Sequence, residues 1–188
     1  MAQHRDPETT RHALLAAAQK EFNTRGYFGT DTNRIARCAG FAPQTFYRHF
    51  DDKIAIFLAV YEGWWTAEVD AVVAALSHAK AGSRALAAAR VVLDFHVRWR
   101  IFRRSLRHLA VEDPRVRAAR AAARKAQIEH LHQAGRGPAE KISALLTAER
   151  ICDAAADGEL ADLGLSQKAT LALVARAMAA LTDRPPRD

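Results

Sequence analysis

Little in this chain offers covalent cross-linking or catalysis. It has two cysteines, Cys38 and Cys152, in 188 residues. They are too few and too far apart for a disulfide framework or a zinc-ligand spacing, and a reducing compartment is their simplest setting. No stretch approaches the ~20 uninterrupted apolar residues of a membrane span. The opening Met-Ala-Gln-His-Arg-Asp-Pro holds no apolar run suited to a secretory signal. The expectation is a soluble cytoplasmic protein with no membrane partner. No segment alternates apolar and polar residues with a period of two, which argues against strands. A phosphate-binding glycine loop, a paired nucleophile and base, and a metal-ligand spacing are all absent, so neither enzyme activity nor a cofactor is expected.

What is present is helix-forming and basic. Apolar residues make up 49% of the chain, ample for a buried core, and the formal net charge is +7. That charge suits a polyanionic partner, yet it is unevenly placed. Residues 84–125 carry 12 basic against 3 acidic residues, whereas residues 1–53 carry 8 against 6.

Proline and glycine are sparse and fall where helices start and stop. Asp6-Pro7 and Asp113-Pro114 each pair a cap with a first-turn proline. A first helix from there presents Leu14, Leu15, Ala18 and Phe22 on one face and ends near Gly26. Apolar residues from Ile54 to Leu76, spaced three and four apart, predict a helix opening at Asp51-Asp52 and running to about Ala79. Breaks are expected at Ala81-Gly82-Ser83, Gly135-Arg136-Gly137-Pro138, Asp157-Gly158 and Pro185-Pro186. Between them the pattern predicts helices over about 84–100, 102–110, 114–134, 139–156 and 166–181. The fold class is all-α with about nine helices.

The segment 26–53 carries the most information. Asp31 can cap a short helix from Thr32 to Ala39, with Ile35, Ala36 and Ala39 on a narrow apolar face. Gly40 permits a reversal, and Pro43 opens a second short helix in which Phe46 and Phe50 face inward. Gln44, Thr45, Tyr47, Arg48 and His49 are left on the outside. Two helices joined by a short glycine turn place a recognition helix in a major groove.

Gly40-Phe41-Ala42-Pro43-Gln44-Thr45-Phe46-Tyr47-Arg48-His49-Phe50, with Ile35-Ala36 before it and Lys53 after it, resembles the signature of the TetR family of bacterial transcriptional regulators. The likeness spans about residues 10 to 60. Beyond it, the chain resembles the family in length and helical pattern only. The resemblance implies a three-helix DNA-binding head over residues 1–53 and a helical ligand-binding and dimerisation domain over 54–188. It implies a homodimer on a pseudo-palindromic double-stranded DNA operator, most often a repressor, released by a small-molecule effector. It further implies phosphate contacts from Thr32, Tyr47, His49 and Lys53, and an approach to base edges by Asn33, Pro43, Gln44 and Thr45. Gln44 is the strongest candidate for direct readout, since a carboxamide can pair bidentately with adenine. Ala42 departs from the family, which usually carries a Ser or Thr cap there.

Further along, Trp64, Trp65, Phe95, His96, Trp99 and Phe102 fall on the helices that the family places around its ligand cavity. Aromatic residues at helical spacing also build ordinary cores, so the two readings stand about even. His96 reads as a hydrogen-bonded interior histidine rather than a metal ligand. Arg98, Arg100, Arg103, Arg104 and Arg107 suit a solvated face, a field steering DNA, or an oxyanion effector. The last two helices are apolar over most of their circumference, through Ile142, Leu145, Leu146, Ile151, Leu171, Val174, Met178 and Leu181. Such helices need burial on both sides, most simply against a second copy of the chain, so that a homodimer through the last two helices is expected, as the resemblance also implies; the alternative is the centre of the monomer. The competing reading of the whole chain is a sequence-neutral nucleic-acid-binding helical protein, motivated by its pI near 9.9.

Overall fold

Each helix of the computed structural model begins and ends where local chemistry allows. The structure describes residues 6–80, 82–130 and 137–182, with Ala180 by its backbone alone. The breaks expected at Ala81, at Gly135-Arg136 and at Pro185-Pro186 lie outside these residues, as does the end expected at Ala134. Among the described residues there are ten helices and no strand, and none is long and apolar enough to cross a membrane.

Helix α1 (Pro7–Arg25) starts on the Asp6 carboxylate, which accepts from the Thr9 N–H, and stops at Gly26 with φ +72°. Helix α2 (Thr32–Cys38) is capped by Asp31, whose carboxylate accepts from Arg34 N at 2.7 Å. Helix α3 (Pro43–Phe46) opens on Pro43 with no side-chain cap from Ala42, as the sequence predicts. Helix α4 (Lys53–His78) is capped by Asp52 through Ala55 N at 2.7 Å.

Trp99 separates α5 (Arg84–Arg98) from α6 (Arg100–Glu112), two residues earlier than the sequence suggests. Helix α7 (Pro114–His130) is capped by Asp113 through Arg115 N at 2.7 Å. Helix α8 (Pro138–Asp157) ends at Gly158 with φ +89°, which opens the four-residue α9 (Glu159–Asp162). The sequence reading had no place for α9. The last helix is α10 (Gln167–Thr182).

The chain forms two compact units, one up to Trp64 together with Ile101–Ala119, the other comprising Trp65–Arg100 and residues from Arg120 onward. The first unit contains α1 to α3, the start of α4 and nearly all of α6. Its core includes a run of aromatic rings: Phe22 meets Phe57 edge-on at 5.2 Å, and Phe57 stacks on Phe102 at 4.7 Å. The core of the second unit includes Val72, Leu76, Ala89, Val92, Leu145, Ala148, Val174, Met178 and Leu181.

Of the apolar residues on α8 and α10, Leu145, Val174, Met178 and Leu181 are interior, and Ile151 and Leu171 half-buried. Ile142 and Leu146, one turn apart on α8, stand 48% and 41% exposed. A strip of the α8 surface thus remains apolar and open in the single chain.

Candidate functional site

Three interactions shape the head around its short third helix. Gly40 takes φ +80°, a backbone that a side chain resists, and lets Phe41 N reach back to Ala36 O at 2.9 Å. Nothing lies within 4 Å of a Cβ built there, so the backbone angle, not crowding, requires glycine. Phe46 is fully buried and Phe50 nearly so, which pins α3 from below.

The third is Glu21, a buried carboxylate on α1 that grips α2 and the loop before it. It accepts from Arg34 Nε at 2.6 Å, Thr30 Oγ1 at 3.1 Å and Cys38 Sγ at 3.5 Å. Burial alone would raise the pKa of Glu21. The hydrogen bonds from Arg34, Thr30 and Cys38 outweigh it and hold the carboxyl below its ordinary 4.5. A carboxyl with a depressed folded-state pKa stabilises the protein above its unfolded value. That contribution is lost as pH falls through the folded value. Urea midpoints measured from pH 7 to pH 3 should therefore fall below about pH 4.5. Glu21→Gln should flatten that fall, and an unchanged profile would remove Glu21 from this role.

On this frame the predicted contact residues are displayed unequally. Gln44, Asn33 and Tyr47 are exposed, Tyr47 by 57%, while Thr32, Pro43, Thr45 and His49 are half-buried. The structure brings Thr32 and Tyr47 together, with Oγ1 and the phenol oxygen 3.0 Å apart. Two hydroxyls expected on phosphates thus form one polar edge between the start of α2 and the end of α3.

Lys53 is engaged inside the head. Its ammonium donates to Tyr27 O at 3.0 Å and Thr30 O at 2.9 Å, and sits 4.0 Å from the centre of the Tyr27 ring. Burial pushes its pKa down. The lysine thereby ties the α1–α2 loop to the first turn of α4.

The α1–α2 corner has a second anchor that the sequence reading missed. Ser105 of α6 accepts from Tyr27 N through Oγ at 2.9 Å, and Arg115 of α7 pairs with Asp52 at 2.8 Å. Neither residue has a local sequence signal, since its partner lies more than sixty positions away.

The second unit holds a cavity of about 30 Å³, walled on its polar side by Glu68, His96, Gln127 and Glu149. His96 is 1% exposed and places Nδ1 3.0 Å from Asp153 Oδ1 and Nε2 3.6 Å from Glu68 Oε1. Gln127 donates to Glu68 Oε2 at 3.3 Å. Glu149 is gripped by Arg120 at 3.0 Å and by Arg124 at 3.1 and 2.6 Å. Of the six residues expected around a ligand, His96 alone lines this cavity. Trp64 and Phe102 lie in the first unit, where the Arg103 guanidinium sits 4.9 Å from the Trp64 ring. Trp65, Phe95 and Trp99 are half-buried in the second unit, outside the cavity wall. Glu68 and Asp153 were visible in the sequence only as charges set among the apolar residues of their helices.

A capped α2, a glycine corner and an α3 with a polar outer face define a helix-turn-helix DNA-binding protein. Comparison with known proteins carries this further. Residues 14–60 match the family model for bacterial regulatory proteins of the tetR family. Among solved structures, one described as a TetR-family transcriptional regulator from Mesorhizobium loti superposes with TM-score 0.68 at 20% identity, covering 95% of this chain and 97% of that one. Another so described, from a Rhodococcus species, gives TM-score 0.71 at 17% identity over 94% of this chain and 100% of that one. The fatty acid degradation regulator FadR from Bacillus halodurans gives 0.68 at 15% identity, over 95% of this chain and 97% of its own. No curated protein matched the sequence significantly. Residues 14–60 thus match the tetR family model, and the chain as a whole has the fold of solved structures described as TetR-family regulators.

Proposed function

We propose that this protein is a ligand-responsive transcriptional regulator, most simply a repressor, acting as a homodimer on a pseudo-palindromic operator. The observation that carries the reading is the outer face of α3, where Gln44 and Tyr47 stand exposed above a buried Phe46. Residues 1–53 read DNA, and residues 54–188 bind the effector and dimerise. The open strip of Ile142 and Leu146 on α8 supports a second copy of the chain as the missing cover. A ligand acts on the DNA-bound state only through different affinities for the two states of the dimer.

Within the head, phosphate contacts set position and base contacts set sequence. Thr32, Tyr47 and His49 take the phosphate role, with the Lys53 ammonium at their flank. Asn33, Pro43, Gln44 and Thr45 take the base role. Tyr47→Ala should weaken binding to all duplexes alike. Gln44→Ala should lose about 1–3 kcal/mol, mainly at one base pair of the site. Fragments selected from genomic DNA, assayed by gel shift with both variants, read the two effects separately. A Gln44→Ala protein with unchanged sequence preference would remove Gln44 from base readout. Equal affinity for operator and unrelated competitor DNA would replace this reading with the sequence-neutral binder, whose affinity falls steeply with salt.

A further inference from the structure

We infer that the first unit carries a small-molecule site of its own, an open bowl between the α1–α2 corner and α6. Its ligand is an organic acid, a carboxylate borne on a flat apolar ring. The site is built from the first unit alone and does not depend on the regulator reading.

The bowl measures about 370 Å³ and is lined by Phe28, Arg104, Ser105 and His108, all residues of the first unit. That volume falls within the range of ordinary small-molecule sites, about 300–1,000 Å³. Phe28 is the apolar wall. It is 67% exposed, and its ring meets the His108 imidazole edge-on at 5.1 Å and the Tyr27 ring edge-on at 5.3 Å. Most of this phenyl group stands in water, and covering it with a flat apolar body is favourable.

The floor of the bowl is held still. Ser105 Oγ accepts from Tyr27 N at 2.9 Å and donates to Ile101 O at 3.3 Å. The turn after Phe28 lies close against α1, since a Cβ on Gly29 would meet Arg25 O at 2.3 Å. On either side of Phe28, Tyr27 O and Thr30 O accept from the Lys53 ammonium. A wall fixed in this way needs little ordering when a ligand arrives.

The rim sets the sign of the charge. Arg104 is exposed and keeps its charge at every ordinary pH. Its fork of five N–H donors can serve a carboxylate while keeping other partners. His108, also exposed, has one N–H donor in either tautomer and a second when protonated. No carboxylate is among the four lining residues. The acidic residue of α6, Glu112, lies one turn beyond His108 and outside the lining. An amine would meet Arg104 with like charge, and an alcohol would forgo the charge-assisted hydrogen bond. A small anion such as acetate would leave Phe28 uncovered. Ring and carboxylate are therefore selected together.

Calorimetry on the full chain, without DNA, compares 2-naphthoate with 2-naphthol, 2-naphthylmethylamine and acetate. The naphthoate should bind about tenfold or more tightly than each of the others, as a charge-assisted hydrogen bond and a covered ring imply. Hydrogen exchange should place the protection it confers in peptides covering residues 26–31 and 101–109. Phe28→Ala and Arg104→Gln should each weaken naphthoate binding about tenfold. Arg117→Gln, exposed on α7, should leave it unchanged. Circular dichroism checks the fold of each variant, and Phe28→Ala decides should Arg104→Gln not fold. Naphthol or the amine equal to naphthoate, binding that survives Phe28→Ala, or an equal loss in Arg117→Gln overturns the inference. So does protection confined to α8 and α10, or no binding of naphthoate at all. Operator selectivity is read separately by gel shift, so this inference and the regulator reading can each fail alone.

Discussion

Replacing Asp153 with alanine should destabilise the second unit by about 1.5–3 kcal/mol, the usual result of removing a buried hydrogen bond to a charged group. Asp153 is 3% exposed and His96 1%, so the imidazole N–H left behind would be buried. The contact also joins helices, since Glu68 stands on α4, His96 on α5 and Asp153 on α8, with Gln127 of α7 hydrogen-bonded to Glu68. Asp153→Asn keeps the shape and one acceptor oxygen and should cost roughly half as much, because its hydrogen bond is no longer charge-assisted. Urea unfolding of the three proteins at neutral pH measures both differences. A loss below about 1 kcal/mol for Asp153→Ala would show that His96 does not depend on this carboxylate. Unit stabilities of 5–15 kcal/mol are ordinary, so the expected loss is large enough to change the fraction folded at 37 °C.

How far the sequence disclosed this structure depended on the range of each interaction. Asp6, Asp31 and Asp113 were legible as caps because each accepts from an N–H two or three residues ahead. Gly26, Gly40 and Gly158 were legible as stops because each takes a backbone angle that other residues avoid. The helix-turn-helix is built almost wholly from such local devices, and so it could be read residue by residue. Phe102 shows where that reading ends. Its helical period marks it as interior, but a period does not say which interior, and the ring packs on Phe57 instead of joining His96. Lys53 was expected on a phosphate, as the resemblance implies. Its carbonyl partners lie 23 and 26 residues upstream, beyond any local pattern. The polar wall of the cavity was hidden for the same reason, since Glu68, His96, Gln127 and Asp153 come from four different helices. Charge on an apolar helix face was the one available signal. It marks a buried polar group without naming its partner.

Phe102→Ala should remove about 3–5 kcal/mol from the first unit, the usual loss for truncating a fully buried aromatic residue. Phe102 is 0% exposed and stacks on Phe57, which in turn meets Phe22 of α1 and Tyr27 of the α1–α2 corner. The cavity left behind would open beneath that corner, beside the point where Ser105 Oγ accepts from Tyr27 N. Gly26 has a Cβ position only 3.1 Å from the same oxygen, so the corner has little slack with which to close the gap. The consequence for function follows from the position of α6, which supports the head without belonging to the helix-turn-helix. DNA affinity should fall for every sequence alike, since the damage moves the whole head and not one base contact. Phe102→Leu retains most of the volume and should recover most of the loss. Hydrogen exchange locates the effect: peptides from α1, α2 and α6 should lose protection, while those from α8 and α10 should keep theirs. Loss of protection confined to α8 and α10 would instead place Phe102 in the second unit's interior, and the partition of α6 drawn from its contacts would be wrong.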